Sequence, residues 1–141
     1  MTLIVQVPAS TIPGAEWTWE VEPTAGIYIH RIAVEGTAQH QCNVAAADGG
    51  GAILGATTGP ETDRDLLIPT GEAIRVSYLG MQYVKVIHAI TLWDQVICDA
   101  AAGQAKPLAA EATAWVLGTA MDAGAVADEI PVQIFIMRRA A

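Results

Sequence analysis

Asp128-Glu129-Ile130-Pro131-Val132-Gln133-Ile134-Phe135-Ile136 is the stretch that decides the fold class. Ile130, Val132, Ile134 and Ile136 fall on every second position, the period of a strand with one buried face rather than the 3.6-residue period of a helix. Pro131 has no N–H for a central ladder, so it fits only at the start of this strand or on a sheet edge. Between Trp93 and Met137 other short apolar runs are broken by Gly- and Ala-rich turns. The chain therefore reads as all-β, a single small β-sandwich or barrel-like domain. A shorter echo, Glu72-Ala73-Ile74-Arg75-Val76, repeats the acidic opening and the alternation but is too brief to indicate duplication.

Working outward, Ile27–Val34 is rich in β-branched and aromatic residues and reads as one strand ending at Glu35-Gly36. Further strands are expected at 39–46, 52–58, 73–79, 83–90, 96–98 and 130–137. Asp48-Gly49-Gly50-Gly51 and Pro69-Thr70-Gly71 supply the turns between them. This close succession of short strands is the spacing of a sandwich or barrel. The segment 107–112 fits either a helical turn opened by Pro107 or an extended chain, whereas Thr113-Ala114-Trp115-Val116-Leu117 predicts a strand over 113–121.

Residues 1–26 are punctuated by Pro8, Pro13, Gly14, Pro23 and Gly26 and read as an extended N-terminal arm, with the β-rich domain occupying 27–141. Leu3–Val7 and Trp17–Val21 are the arm's strand-forming stretches. In the second, Trp17, Trp19 and Val21 share one face of an extended segment. They fit two readings equally: cover for the domain's own core, or contact with a neighbouring subunit, where Trp is enriched at hot spots. They are the candidate protein-interface residues.

The 141 residues suffice for one domain with its own core. Hydrophobic residues make up 52% of the chain, and the mean hydropathy is +0.37. The longest stretch without a charged side chain, Met1–Ala15, is interrupted by two prolines and is shorter than the roughly 18 residues a spanning helix needs. No membrane partner is expected. No basic residue precedes Arg31, so the start lacks the form of a secretory signal and the mature chain is expected to begin here. A net charge of −8 repels phosphate backbones, and no Lys/Arg cluster overrides it, so nucleic acid is not an expected partner. Cys42 and Cys98 are too few for a disulfide framework; buried thiols or a single bridge are both open.

No catalytic constellation emerges. His40 and Cys42, two apart, would share a strand face and supply two zinc ligands, but His30, His88 and Cys98 sit at no recognised ligand spacing, and core or polar positions are the simpler reading. Glu61, Asp63 and Asp65 alternate in an acidic loop that lacks the calcium-loop pattern. Gly49-Gly50-Gly51 lacks the Lys-Ser/Thr of a phosphate loop, and neither Ser10 nor Ser77 stands in a nucleophile elbow. No enzyme activity and no cofactor are expected. Trp93 and Trp115 leave a carbohydrate-binding module as the alternative to a protein-binding role.

Gln95-Val96-Ile97-Cys98-Asp99, Ala102-Gly103-Gln104-Ala105-Lys106-Pro107, Ala112-Thr113-Ala114-Trp115-Val116-Leu117-Gly118-Thr119-Ala120 and Asp128-Glu129-Ile130-Pro131-Val132, with Ala45-Ala46-Ala47-Asp48-Gly49 before the glycine loop, resemble small phage capsid decoration (cement) proteins. The resemblance covers roughly 40–136 and is compositional. It implies a β-rich domain that binds the major capsid protein on the capsid exterior, assembles as a homotrimer and stabilises contacts between capsomers, with assembly in the host cytoplasm. The chain departs from that pattern in its Trp17/Trp19 stretch and in Trp93-Asp94, where such proteins carry a Gly-Asp turn.

Overall fold

The computed structural model describes residues 16–44, 52–59, 66–99, 103–108 and 114–139. They form β1 (Glu16–Val21), β2 (Ile27–Tyr28), β3 (Ile32–Glu35), β4 (Gln41–Val44), β5 (Ile53–Thr58) and β6 (Leu67–Ile68). After these come β7 (Ala73–Ser77), β8 (Gly80–Lys85), β9 (Gln95–Cys98), β10 (Ala105–Pro107), β11 (Ala114–Ala120) and β12 (Glu129–Arg139). The expected all-β class is borne out, and among the described residues no helix is long and apolar enough to cross a membrane.

Strands β1-β4-β3-β5-β7 close into a barrel, while β10-β9-β11-β12-β8 form an open five-stranded sheet and β2 and β6 a two-stranded ribbon. The barrel closes through β1, which pairs antiparallel with β7 from Glu16↔Ser77 to Glu20↔Ala73 and parallel with β4 at Glu20↔Gln41 and Val21↔Cys42. The expected arm is corrected at this point. Residues 16–20 pair along one edge with β7, and Glu20 and Val21 pair along the other with β4, so a division at residue 26 does not separate this strand from the domain. Residues 1–15, with Leu3–Val7, lie outside the described residues.

The barrel and the sheet share one wall. Ile32 and Val34 of β3 pair with Ala56 and Ile53 of β5, and all four face the sheet, packing with Val84, Val96, Leu117, Val132 and Ile134. Ala33 and Leu54 face the other way, into a barrel interior made with Val21, Cys42, Ile74 and Val76. A register shift between Ala33 and Val34 lets β5 supply both faces. Each fully buried Ile or Leu contributes about 2 kcal/mol through apolar burial, so this wall feeds both cores. Thr57 is buried as well; its hydroxyl accepts from the Arg31 N–H at 3.0 Å and donates to the Tyr28 carbonyl at 2.9 Å.

Several expected boundaries move for local reasons. The strand expected over Ile27–Val34 splits into β2 and β3 because His30 takes a left-handed backbone, φ 62°. The strand expected from residue 39 begins instead at Gln41, after a turn in which His40 has φ 65°. The run at 83–90 is a strand only to Lys85; beyond it Val86 bridges Ala105 and Ile90 bridges Gly124. In the ambiguous segment Pro107 ends β10, and residues 109–112 lie outside the described residues. Pro131 is the third residue of β12, an interior strand, and pairs with Tyr83 of β8; it is tolerated because its backbone faces the β11 side just past the last β11–β12 pair, Ala120↔Val132, where its carbonyl accepts from Met121.

His30 also ties the two halves together. Its Nδ1 lies 2.6 Å from Glu129 Oε2, with both side chains buried, joining the β2–β3 connection to the start of β12. The other ring nitrogen, Nε2, is buried with no hydrogen-bond partner. Gly118 marks a further constraint, a register irregularity between Val116 and Gly118 against both β9 and β12. A Cβ built on Gly118 would lie 2.0 Å from the Gln133 carbonyl oxygen. Gly118→Ala is therefore expected to destabilise the protein by roughly 1–3 kcal/mol, the cost of overpacking, read as a lower denaturation midpoint with unchanged m-value.

Candidate functional site

The pairing Trp17↔Val76 and Trp19↔Ile74 places Trp17, Trp19 and Val21 of β1 beside Val76 and Ile74 of β7. Along this face burial rises steadily: Trp17 is 61% exposed, Trp19 is half-buried and Val21 is fully buried. The Val21 end is stoppered by the ribbon, whose Ile27 and Ile68 join the interior, and by Gly71 N–H and Glu72 carbonyl bonds to the Val21 backbone. The Trp17 end is the open mouth. Tyr78, just past β7, meets Trp17 edge to face with ring centroids 6.4 Å apart. The two rings and Trp19, Leu54 and Val76 line an apolar cleft of about 280 Å³. Beside it the β3–β4 turn, Glu35 to Gln41, and the two tryptophans bound a more polar groove of about 360 Å³.

Of the three expected interface residues, Trp17 and Trp19 reach this mouth and Val21 does not; it is a packing residue of the barrel. The same-face reading of the three holds, but the face is the barrel interior running out to its rim. Sequence reading missed Tyr78, although the alternation Ile74, Val76, Tyr78 continues the inward face of β7 and would have found it.

The turn that forms the groove is anchored by Glu22. Its carboxylate accepts from the Thr37 hydroxyl, from the Thr37 N–H at 2.6 Å and from Asn43 Nδ2 at 3.2 Å. The Thr37 hydroxyl and then the Thr37 N–H hold the Glu22 carboxyl below its ordinary value of 4.5. Cys42, fully buried inside the barrel, has its thiol pushed up to about 11, first by burial and then by the Glu22 charge.

The zinc pairing does not form. His40 is exposed on the β3–β4 turn while Cys42 points into the barrel, because the turn breaks the strand on which they would have shared a face. His30 is engaged with Glu129, and His88 lies exposed with Nε2 3.3 Å from Asp99. Cys98 is buried in the core shared by barrel and sheet, whereas Cys42 belongs to the barrel interior, and no disulfide joins the two. Among the described residues no group of three or more His, Cys, Asp or Glu is placed to hold a metal. A polar cleft of about 450 Å³ is lined by Lys85, Asp122, Asp128, Glu129 and neighbouring backbone. There Asp122 and Asp128 accept from the N–H groups of Ala123 and Ala125 and so shape their own turns. Glu61, Asp63 and Asp65 lie outside the described residues.

The two tryptophans of the carbohydrate reading are separated. The Trp93 N–H bonds Ala120 at one end of β11, and Trp115, half-buried against the core, lies near the other end, five residue steps or about 17 Å along the strand from Ala120. They do not form one platform.

No protein-family model matches the chain, and no match was found among curated proteins. Among solved structures the fold is similar to the crystal structure of the head fiber gp8.5 N base of bacteriophage phi29. The TM-score is 0.58 at 15% identity, covering 85% of this chain and 92% of that one. At this identity the likeness is one of fold.

A carboxyl with a lowered folded-state value stabilises the turn at and above its ordinary value of 4.5 and loses that effect as pH falls through the lowered one. The Thr37 amide resonance should therefore titrate in the acid range and stop doing so in Glu22→Gln, followed by NMR. Cys42 should resist a thiol reagent at neutral pH and react only on unfolding, checked by mass spectrometry.

Proposed function

We propose that this chain is a virion structural protein, a capsid decoration or cement protein on the outside of a phage head. It acts as a homotrimer that binds the major capsid protein and stabilises contacts between capsomers. The observation that carries the reading is the likeness of the fold, over most of both chains, to the base of a phage head fiber. The resemblance of residues 40–136 to cement proteins supports the same reading from composition.

The contact surface in this reading is the barrel mouth. Trp17 and Tyr78 meet edge to face and line the apolar cleft with the half-buried Trp19, large rings with few rotatable bonds that lose little side-chain freedom on docking. An aromatic anchor 61% exposed at the rim of an apolar cleft is the kind of residue that dominates interface energetics. The net charge of −8 keeps unassembled copies apart in solution, and repetition over a symmetric shell adds weak contacts through multivalency.

The purified chain is expected to sediment as a trimer and to bind assembled heads of its phage. Trp17→Ala should weaken that binding about 30-fold, the effect of losing a 2 kcal/mol hot spot, with an unchanged circular dichroism spectrum. A monomer that fails to bind assembled heads overturns the reading.

A further inference from the structure

Trp93 is held in a conformation that a bulky side chain avoids. It sits in the turn 91–94 with φ 75°, in the left-handed region where Cβ crowds the following carbonyl. The turn is firmly clamped all the same. The Trp93 N–H donates to the Ala120 carbonyl at 2.9 Å, the Ala120 N–H donates to the Asp94 carbonyl at 2.8 Å, and the Asp94 carboxylate accepts from the Thr91 N–H at 2.9 Å. The ring so presented packs into no core: it is 65% exposed, beside an exposed Leu92. Glycine would fit this backbone without strain, and a strained, exposed tryptophan on a rigid turn has the form of an anchor for a partner's surface.

The two ends of the sheet differ in charge. Next to the Trp93 tip, the β11–β12 connection exposes Asp122 and Asp128, and the half-buried Lys85 is the basic side chain lining the same cleft. At the other end of β11, Met137 pairs with Val116 and Arg138 with Trp115. There Phe135 is 65% exposed, and Met137 and Leu79, which precedes the terminal pair Gly80↔Ile134, are exposed as well. Arg138 is also exposed, and among the described residues it makes no ion pair. One end is thus apolar and acidic, the other apolar and basic. Five residue steps of β11, about 17 Å, hold them apart, so they do not meet within one molecule. A chain of net charge −8 repels its own copy over much of its surface, and it meets one favourably where an acidic end faces a basic end.

We infer that the Trp93 tip docks on the 135–138 end of a second copy of this chain. Trp93 and Leu92 lie against Phe135 and Met137 of the neighbouring copy, and Asp122 faces its Arg138. The contact is head-to-tail, and such a contact generates a ring when its rotation closes. It supplies the geometry of the homotrimer in the proposed function, on whose self-association it rests, and it leaves the aromatic mouth free for the shell.

Two measurements on the full-length protein test it. In sedimentation, the wild type is expected as a trimer. Trp93→Gly, which also relieves the backbone, and Arg138→Glu are each expected to keep the wild-type circular dichroism spectrum and to need about tenfold more protein to associate. Asp122→Lys combined with Arg138→Glu should regain the association that each alone loses. In cross-linking, Leu92→Cys and Met137→Cys are placed in separate copies, the native Cys42 and Cys98 being buried. A disulfide-linked dimer is expected on oxidising the mixture and not with either variant alone. Trimers unchanged by Trp93→Gly and Arg138→Glu, with no mixed disulfide, would overturn the inference and leave the decoration reading in place. Loss of head binding in Trp93→Gly with the trimer intact would overturn it in favour of a contact with the shell. A monomeric wild type would overturn it as well, and binding to assembled heads then decides the decoration reading separately.

Discussion

The structure depends on a wall of two strands that must be buried on both faces. β3 and β5 belong to the barrel, yet Ile32, Val34, Ile53 and Ala56 turn away from its interior to pack the open sheet. Neither half could hide its apolar surface without the other: the sheet would expose Val84, Leu117, Val132 and Ile134, and the barrel would expose the outside of β3 and β5. The buried His30–Glu129 pair fixes the two halves on the same line. A polar bond in this setting costs desolvation, and its value lies in holding one relative arrangement.

The aromatic mouth follows from the way the barrel is filled. Its interior is stoppered by the ribbon at the Val21 end, so the inward rows of β1 and β7 run from apolar core to solvent and finish in Trp17 and Tyr78. The same alternation that packs Val21 and Val76 therefore presents the rings. A packing pattern continued past the end of the core becomes a surface, and the Glu22-anchored turn forms its second rim.

Much of this was legible because period-2 alternation depends on nearest neighbours along the chain. β12 shows Ile130, Val132 and Ile134 inward as written, and Pro131 at the position its missing donor permits. What escaped reading were the places where the backbone leaves that period. The strand expected over 27–34 hides the left-handed His30, and β5 shows no alternation because both its faces are buried. The pairing of His40 with Cys42 failed for the same reason, since a turn at His40 undoes the two-residue rule.

By itself the sequence determined the all-β class, the shared face of Trp17, Trp19 and Val21, and a net charge of −8. Local pattern and composition suffice for these. Only the tertiary structure decided that residues 16–21 close a barrel instead of forming an arm, that Val21 is core while Trp17 is rim, and that Tyr78 joins the tryptophans. Those outcomes depend on which strands lie side by side, and pairing between residues as distant as Glu16 and Ser77 is set by the joint burial of two sheets rather than by the residues along either strand.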